Sequence, residues 1–372
     1  MFGLKNTRKA GPIGLNISSS SIRMIQLTHN GGAIDIVAAD ETHFDPTVID
    51  DPQQRKDFTI AAIKKMFARS GFIGTDVVSS LSNDILKVKS FRLDSIDDEQ
   101  IENSVRQEVE ECFSLDADSA EIRYMVAGNA YQGDEIKNEV IIFAADSQIV
   151  KEHLSMLEKA ALTPVSVDSI PCALFRSFQK ALRRQEDSDL VSVFVDVGNN
   201  FTTVIIGKGQ QITFIKQIPI AGKQLNAKVA ADLDMTTQEA AVLRSRLRSN
   251  ADDTLDPDTR QAVIDAMRDV IEELAKEVSL CFQYYAVTFR GERPEQAIFT
   301  GDQAYESTLL NALKRHLGIE MKVAEPLRGF DLSKAKLISR EHPAMSEWAV
   351  AVGLSIKGWD VPDDESRNHE RD

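Results

Sequence analysis

Gly14-Leu-Asn-Ile-Ser-Ser-Ser-Ser-Ile-Arg-Met-Ile-Gln-Leu27 and, 180 residues further on, Phe194-Val-Asp-Val-Gly-Asn-Asn-Phe-Thr-Thr-Val-Ile-Ile-Gly207 are two copies of one pattern. Each reads as an apolar strand ending in a short polar residue, a tight turn of small residues, and a second apolar strand. Asn16 falls on Asp196, and Ser18 on Gly198. A Gly-bearing turn follows each copy, Asn30-Gly-Gly32 and Gly207-Lys-Gly209. A third strand comes next, in which Ile34/Ile36 and Ile212/Phe214 show the period of two of a half-buried strand. The repetition predicts two similar α/β halves with a ligand between them. The turns carry chemical meaning, because a hairpin of small residues exposes consecutive backbone N–H groups and hydroxyls that cradle phosphate without a Lys-rich loop. One such turn alone is an ordinary Ser- or Asn-rich hairpin; its recurrence points to a site.

Between the copies the order changes. Strands are expected at Asp76 to Leu81 and Ile85 to Leu93. Ser95-Ile-Asp-Asp98 then offers a capping box for a helix with Ile101, Val105, Val109 and Cys112 on one face. Ile122 to Val126 and Glu139 to Ala145 read as strands, and Ile149 to Ala161 as a helix with Leu154, Leu157 and Ala161 inward. This is a small α+β insert with surface to spare for a partner. Downstream, Asn226 to Arg248 reads as one helix and Asp252 to Pro257 as a break. A long helix then runs to Phe289 with Val263, Met267, Val270, Leu274, Val278, Cys281 and Tyr285 on one face. That pattern lasts about three heptads and suits a core-facing helix better than a coiled coil. A strand from Gln296 entering a Gly301 turn, a helix from Tyr305 to Leu317, a strand Glu320 to Val323 and a helix near Met345 to Ile356 close the chain.

Composition narrows the function classes. The 372 residues carry 43 Lys plus Arg against 58 Asp plus Glu, a formal net charge of −15, which disfavours phosphate backbones and anionic leaflets. Apolar runs such as Val140 to Ala145 are strand-length, short of the ~20 residues that span a bilayer. The N-terminus lacks a secretory h-region, so a cytoplasmic protein is expected. The charged tail from residue 361 is expected to be disordered. Cys112, Cys172 and Cys281 stand far apart in apolar stretches and are expected to be buried, reduced thiols. No Walker A, G-x-G-x-x-G, His-Glu-x-x-His or G-x-S-x-G sequence occurs, and the six histidines lack ligand spacing. Asp97-Asp-Glu99 and Glu108, Glu110 and Glu111 read as helix N-terminal bias and a solvated face.

These motifs resemble the actin-like ATPase superfamily, with actin, Hsp70 proteins and sugar kinases. Within it they are most similar to the type IV pilus assembly PilM family of the FtsA/PilM branch, over roughly Pro12 to Lys357. Ile13-Gly-Leu-Asn-Ile-Ser-Ser-Ser-Ser-Ile-Arg23 resembles the first phosphate motif and Asp196-Val-Gly-x-x-x-Thr-Thr203 the second. Arg106-Gln-Glu-Val-Glu110 and Leu157 to Asp168 resemble the family's 1C insert and its return into the first domain. The resemblance implies an α/β actin-like two-domain fold with ribonuclease H-like duplicated halves. Subdomain 1A would take residues 1–77, 165–189 and 338–360, and the 1C insert 78–164. Subdomain 2A would take 190–225 and 296–337, and helical subdomain 2B 226–295. It implies a nucleotide site at Asn16, Ser18, Ser19, Ser20, Ser21, Asp196, Gly198, Asn199, Asn200, Thr202, Thr203, Gly222, Gly301, Asp302 and Ala304, with ATP/Mg as cofactor.

Departures from the family pattern set the functional expectation. Asn16 stands where an aspartate helps hold Mg²⁺, leaving Asp196 as a weak Mg²⁺ ligand. Ser18 replaces a glycine. The Gly-Gly-Gly-Ala turn against the adenosine reads Gly301-Asp-Gln-Ala304, bringing a carboxylate toward phosphates, and Ala-Glu-x-x-Lys reads Ala240-Ala-Val-Leu-Arg244. Hydrolysis and nucleotide binding are therefore expected to be degenerate or weak. The resemblance then implies a scaffold, not an enzyme, that reaches the inner membrane by gripping the cytoplasmic N-terminal peptide of a PilN-like membrane protein at the 1A/1C cleft. Ile85 to Leu93 and Ile101 to Phe113 are expected to flank that cleft. Contacts with pilus motor ATPases and self-association are further expectations, and nucleic acid is not a partner. The alternatives are an active ATP-hydrolysing member of the superfamily and an FtsA-like polymer.

Overall fold

Strands and helices alternate through a computed structural model that describes residues 10–30, 33–44, 51–94, 98–179, 190–248, 255–291, 294, 296–332 and 344–357. In chain order they are β1 (Ala10–Ile17), β2 (Ser21–Asn30), β3 (Ala33–His43), α1 (Pro52–Ser70), β4 (Asp76–Leu81), β5 (Lys87–Asp94), α2 (Asp98–Phe113), β6 (Ala120–Gln132), β7 (Glu135–Asp146), α3 (Ser147–Lys159), β8 (Thr163–Ser169), α4 (Ile170–Gln179), β9 (Val191–Val197), β10 (Thr202–Lys208), β11 (Gln211–Ile218), α5 (Gly222–Asp232), α6 (Thr237–Arg248), α7 (Pro257–Phe289), β12 (Gln296–Thr300), α8 (Ser307–Leu317), β13 (Glu320–Val323) and α9 (Ala349–Ser355). The Asn30-Gly-Gly32 turn, most of the 95–98 capping box, Trp359, His342, His369 and the tail lie outside the described residues.

The repeat is literal in the topology. One sheet has the order β3-β2-β1-β4-β8 and a second β11-β10-β9-β12-β13, so each position in one has its counterpart in the other. In the first hairpin Asn16 pairs with Arg23, and in the second Asp196 pairs with Thr203. The inner strand runs parallel to the next in both, β1 to β4 and β9 to β12. A third sheet, β5-β7-β6, is the insert. Its odd and even positions serve two layers, as strand alternation requires. Val140, Ile142 and Ala144 pack under Ile101, Val105 and Val109 of α2, whereas Ile141, Phe143 and Ala145 join Leu86, Phe175, Phe194, Ile205, Ile212 and Ile215. The insert thus shares a core with both halves. A buried Glu139 on β7 strengthens the attachment, accepting from Tyr284 Oη of α7 at 2.9 Å and facing Arg92 Nε at 3.5 Å, while Arg92 Nη2 donates to Thr288 Oγ1 at 2.8 Å.

The ends of the helices are set by local chemistry. Asp51 caps α1, accepting from the Gln54 amide at 2.9 Å ahead of Pro52, and Asp256 caps α7 ahead of Pro257 in the same way. The segment read as one helix from Asn226 is two. Asp234 takes a left-handed φ of 52°, and Thr236 with Glu239 forms a capping box, Thr236 N donating to Glu239 Oε2 at 2.8 Å and Glu239 N to Thr236 Oγ1 at 3.2 Å.

Other expectations also needed revision. Residues 78–81, grouped with the insert, form the last four of the six residues of β4 and pair with β8 in the first sheet. Ala161 is exposed, because α3 has already ended and the chain turns there with φ 65°. Of the cysteines only Cys281 is buried; Cys172 is half-buried and Cys112 is exposed, since α2 turns that position toward Lys89 and Glu108.

Candidate functional site

Both hairpin turns open onto one cleft between the halves. Asn16, Ser18, Ser19, Asp196, Gly198, Asn199, Asn200, Gly301 and Asp302 line a cavity of about 100 Å³ there, with Arg23, Asn83, Asp84 and Glu347. The other expected residues support it from behind. Ser20 reaches in by its hydroxyl. Ser21, Thr202, Thr203 and Ala304 are buried in the strands and turn, and Gly222 lies under Gln303.

The first turn is closed on itself. The Ser18 amide donates to the Ser21 carbonyl at 2.8 Å, and the Ser18 hydroxyl accepts from the amides of Ser20 at 3.2 Å and Ser21 at 3.0 Å. In the second turn the Gly198 amide donates to Phe201 O at 3.1 Å. The first amides of α5 are also spent, Gly222 N on Gly198 O at 3.1 Å and Lys223 N on Asn199 O at 2.7 Å. The third turn is pressed against the second. Gly301 has φ 93°, and a Cβ there would stand 2.7 Å from Asp196 Oδ1 and 2.6 Å from Val197 O, so only glycine fits.

Side chains then cross the cleft. Ser20 Oγ donates to Asp302 Oδ2 at 3.0 Å, and Arg23 Nη1 stands 3.6 Å from Asp302 Oδ1 with its Nε 3.5 Å from Glu41. Asn200 Nδ2 donates to Asp84 Oδ1 at 2.7 Å and Asn83 Nδ2 to Thr203 Oγ1 at 3.2 Å. Behind the third turn, fully buried Arg244 donates to Gly222 O at 3.0 Å, Asn226 Oδ1 at 2.6 Å and Gln303 Oε1 at 2.7 Å, and pairs with Glu306. Burial, with the Asp302 carboxylate adding to it, pushes the Asp196 carboxyl up to about 7. Asn16 Oδ1 is buried without a hydrogen-bond partner. Arg23, Asp84, Gln303 and Glu306 were not among the expected residues. Arg23, the last residue of the first motif, and Gln303, in the Gly301 turn, had a sequence signal.

These residues fit Mg·ATP poorly. The Ser18, Ser20 and Ser21 amides already have an acceptor, a carboxylate stands among the phosphate-facing groups, and burial beside Asp302 disfavours the charged form of Asp196. The cavity adjoins a wider cleft of about 730 Å³ that shares Ser18, Ser19, Asp84, Asn199 and Asn200 with it and reaches Arg55, Lys223 and Asn226.

Two equivalent sheets whose hairpins and third turn converge on one cleft define an actin-like ATPase fold. A family model described as Type IV pilus assembly protein PilM matches residues 14–359, and the chain belongs to that family. Among solved structures it resembles a PilM-PilN type IV pilus biogenesis complex, with 19% identity over 94% of this chain and 98% of that one and a TM-score of 0.75. It also resembles the ethanolamine utilization protein EutJ from Carboxydothermus hydrogenoformans, with 14% identity, 94% and 90% coverage and a TM-score of 0.53.

Proposed function

We propose that the chain is a scaffold of the type IV pilus inner-membrane platform, binding the N-terminal peptide of a PilN-like membrane protein and using nucleotide weakly or not at all. Membership of the PilM family over residues 14–359 carries the reading, and the PilN partner in the similar complex supports the choice of ligand. Among the described residues no helix is long and apolar enough to cross a membrane, so a membrane role would run through such a partner.

The groove that suits an extended peptide lies between β6 and β8, each the last strand of its sheet. It measures about 560 Å³ and is lined by Leu86, Tyr124, Met125, Phe143, Val167 and Cys172, with Arg123, Asp168 and Lys357 at its polar rim. Edge strands offer unpaired backbone groups for a peptide strand, and the apolar lining offers side-chain pockets. Of the two segments expected to flank this cleft, the first contributes Leu86. α2 packs on the opposite face of the third sheet and takes no part.

Calorimetric titration of the cytoplasmic N-terminal peptide of the PilN-like protein is expected to give a Kd on the order of micromolar, because ordering a short peptide offsets much of the contact energy. Val167→Asp should weaken it at least tenfold while leaving the circular dichroism intact. Absence of binding by the intact chain would refute the role. Steady-state ATPase activity should not exceed background, and Mg·ATP turnover abolished by Asp196→Ala would overturn that part.

A further inference from the structure

The first turn has two amides aimed at one point, and the point is taken. The Ser18 hydroxyl accepts from both Ser20 and Ser21 and is itself 3.0 Å from the Ser21 hydroxyl. An anion entering here would have to displace that hydroxyl and would gain only what was lost. A buried guanidinium facing the cavity, Arg23, is likewise engaged by Glu41 on its own sheet and by Asp302 from the other half. Asp302 follows Gly301 in the third turn, and its two oxygens reach Ser20 and Arg23 across the cleft. A second pair of bonds, Asn200 to Asp84 and Asn83 to Thr203, spans the cleft at its other wall. The Asp302 turn is not free to swing away, because Arg244 holds its neighbours Gln303 and Glu306 and ties them to α5.

We infer that the two halves are held closed by the chain's own side chains, with the Ser18 hydroxyl and the Asp302 carboxylate standing where the turns would otherwise receive phosphate, so that closure needs no nucleotide. The cleft is a fixed joint. The groove between β6 and β8 then keeps one shape whether or not ATP is present, since both of its sheets are anchored to a cleft that nucleotide does not operate. This goes beyond the scaffold reading, and its readouts need no partner protein.

The test uses the full chain, Mg·ATP, and hydrogen exchange read at individual amides. The expected result is no heat and no shift of Tm at millimolar Mg·ATP, with the Ser20 and Ser21 amides protected in the absence of nucleotide. A Ser18→Gly/Asp302→Gly double variant is expected to bind Mg·ATP at least tenfold more tightly than the parent and to lose protection at Ser20 and Ser21 until nucleotide is added. A rise in the parent's Tm on adding Mg·ATP overturns the inference. So do parent amides at Ser20 and Ser21 that become protected only with nucleotide, and so does a folded double variant with no gain in binding. If the double variant does not fold, Asp302→Ala decides. It removes both bonds made by the carboxylate and must speed exchange at Ser20 and Ser21, and unchanged exchange there overturns the latch.

Discussion

Arg244 and Glu306 are each about 1% exposed by side chain, so the pair has almost no water to fall back on. Removing Arg244 leaves the buried Glu306 facing Arg248 Nη1 at 3.8 Å in place of its close partner, a loss of up to about 3–5 kcal/mol, whereas replacing both with apolar residues of similar volume costs much less. Arg244→Met is therefore expected to lower the urea midpoint severely, and Arg244→Met/Glu306→Leu to recover most of the loss; equal loss in both would deny that charge is the cause. His153 on α3 gives a pH dependence. Its Nε2 lies 2.8 Å from Ser79 Oγ, and burial pushes its pKa down from 6.5 to about 4. The unfolded chain then binds the proton and the folded chain does not, so stability is full above pH 6.5 and is lost as pH falls toward 4, by up to about 3 kcal/mol. His153→Gln should flatten this part of the profile in thermal melts between pH 7 and 4.5. A parent and variant with parallel profiles would refute the assignment.

At the scale of elements, α9 decides how tightly the first half closes. It is buried along its whole length and lies between β1 and α4. Two glycines permit the approach. A Cβ on Gly14 of β1 would stand 2.1 Å from Ala351 O, and one on Gly353 would stand 1.7 Å from Ala173 O, in both cases against backbone that cannot turn aside. Gly353→Ala is expected to destabilise by at least the 1–3 kcal/mol typical of overpacking, despite alanine's better helix propensity. A denaturation midpoint at or above the parent's would show that α4 can retreat. The start of α6 is simpler: Thr236→Ala removes one arm of the capping box and should cost about 1 kcal/mol.

The molecule as a whole is welded through the insert. Leu86, Ile141 and Phe143 from the insert region share one cluster with Phe175 of the first half and Phe194, Ile205, Ile212 and Ile215 of the second. Excising 78–164 would also remove four of the six residues of β4, a strand with neighbours on both sides. Even the gentler deletion of 83–145 with a short linker is therefore expected to bind a hydrophobic dye and to melt well below the parent, because it bares the outer face of β9, β10 and β11. A deletion chain that stays dye-silent with the parent's Tm would mean that the insert is an appendage.

The sequence by itself determined the duplicated sheets, since strand alternation and turn residues act within a few positions of each other and recur at a fixed spacing. It also placed α7 and its inward face, and the family resemblance flagged Asn16, Ser18 and Asp302 as departures at a phosphate-facing cleft. It missed the Thr236-Glu239 capping box, a local signal that was present to be read. What only the tertiary structure decided is where those departures lead. That Ser18 folds back on its own turn, that Asp302 reaches Ser20 and Arg23 some 280 positions away, and that α2 faces away from the β6/β8 groove depend on how whole elements pack. A side chain's partner across a cleft is fixed by the burial of surfaces far from it in sequence, and no local propensity encodes that distance.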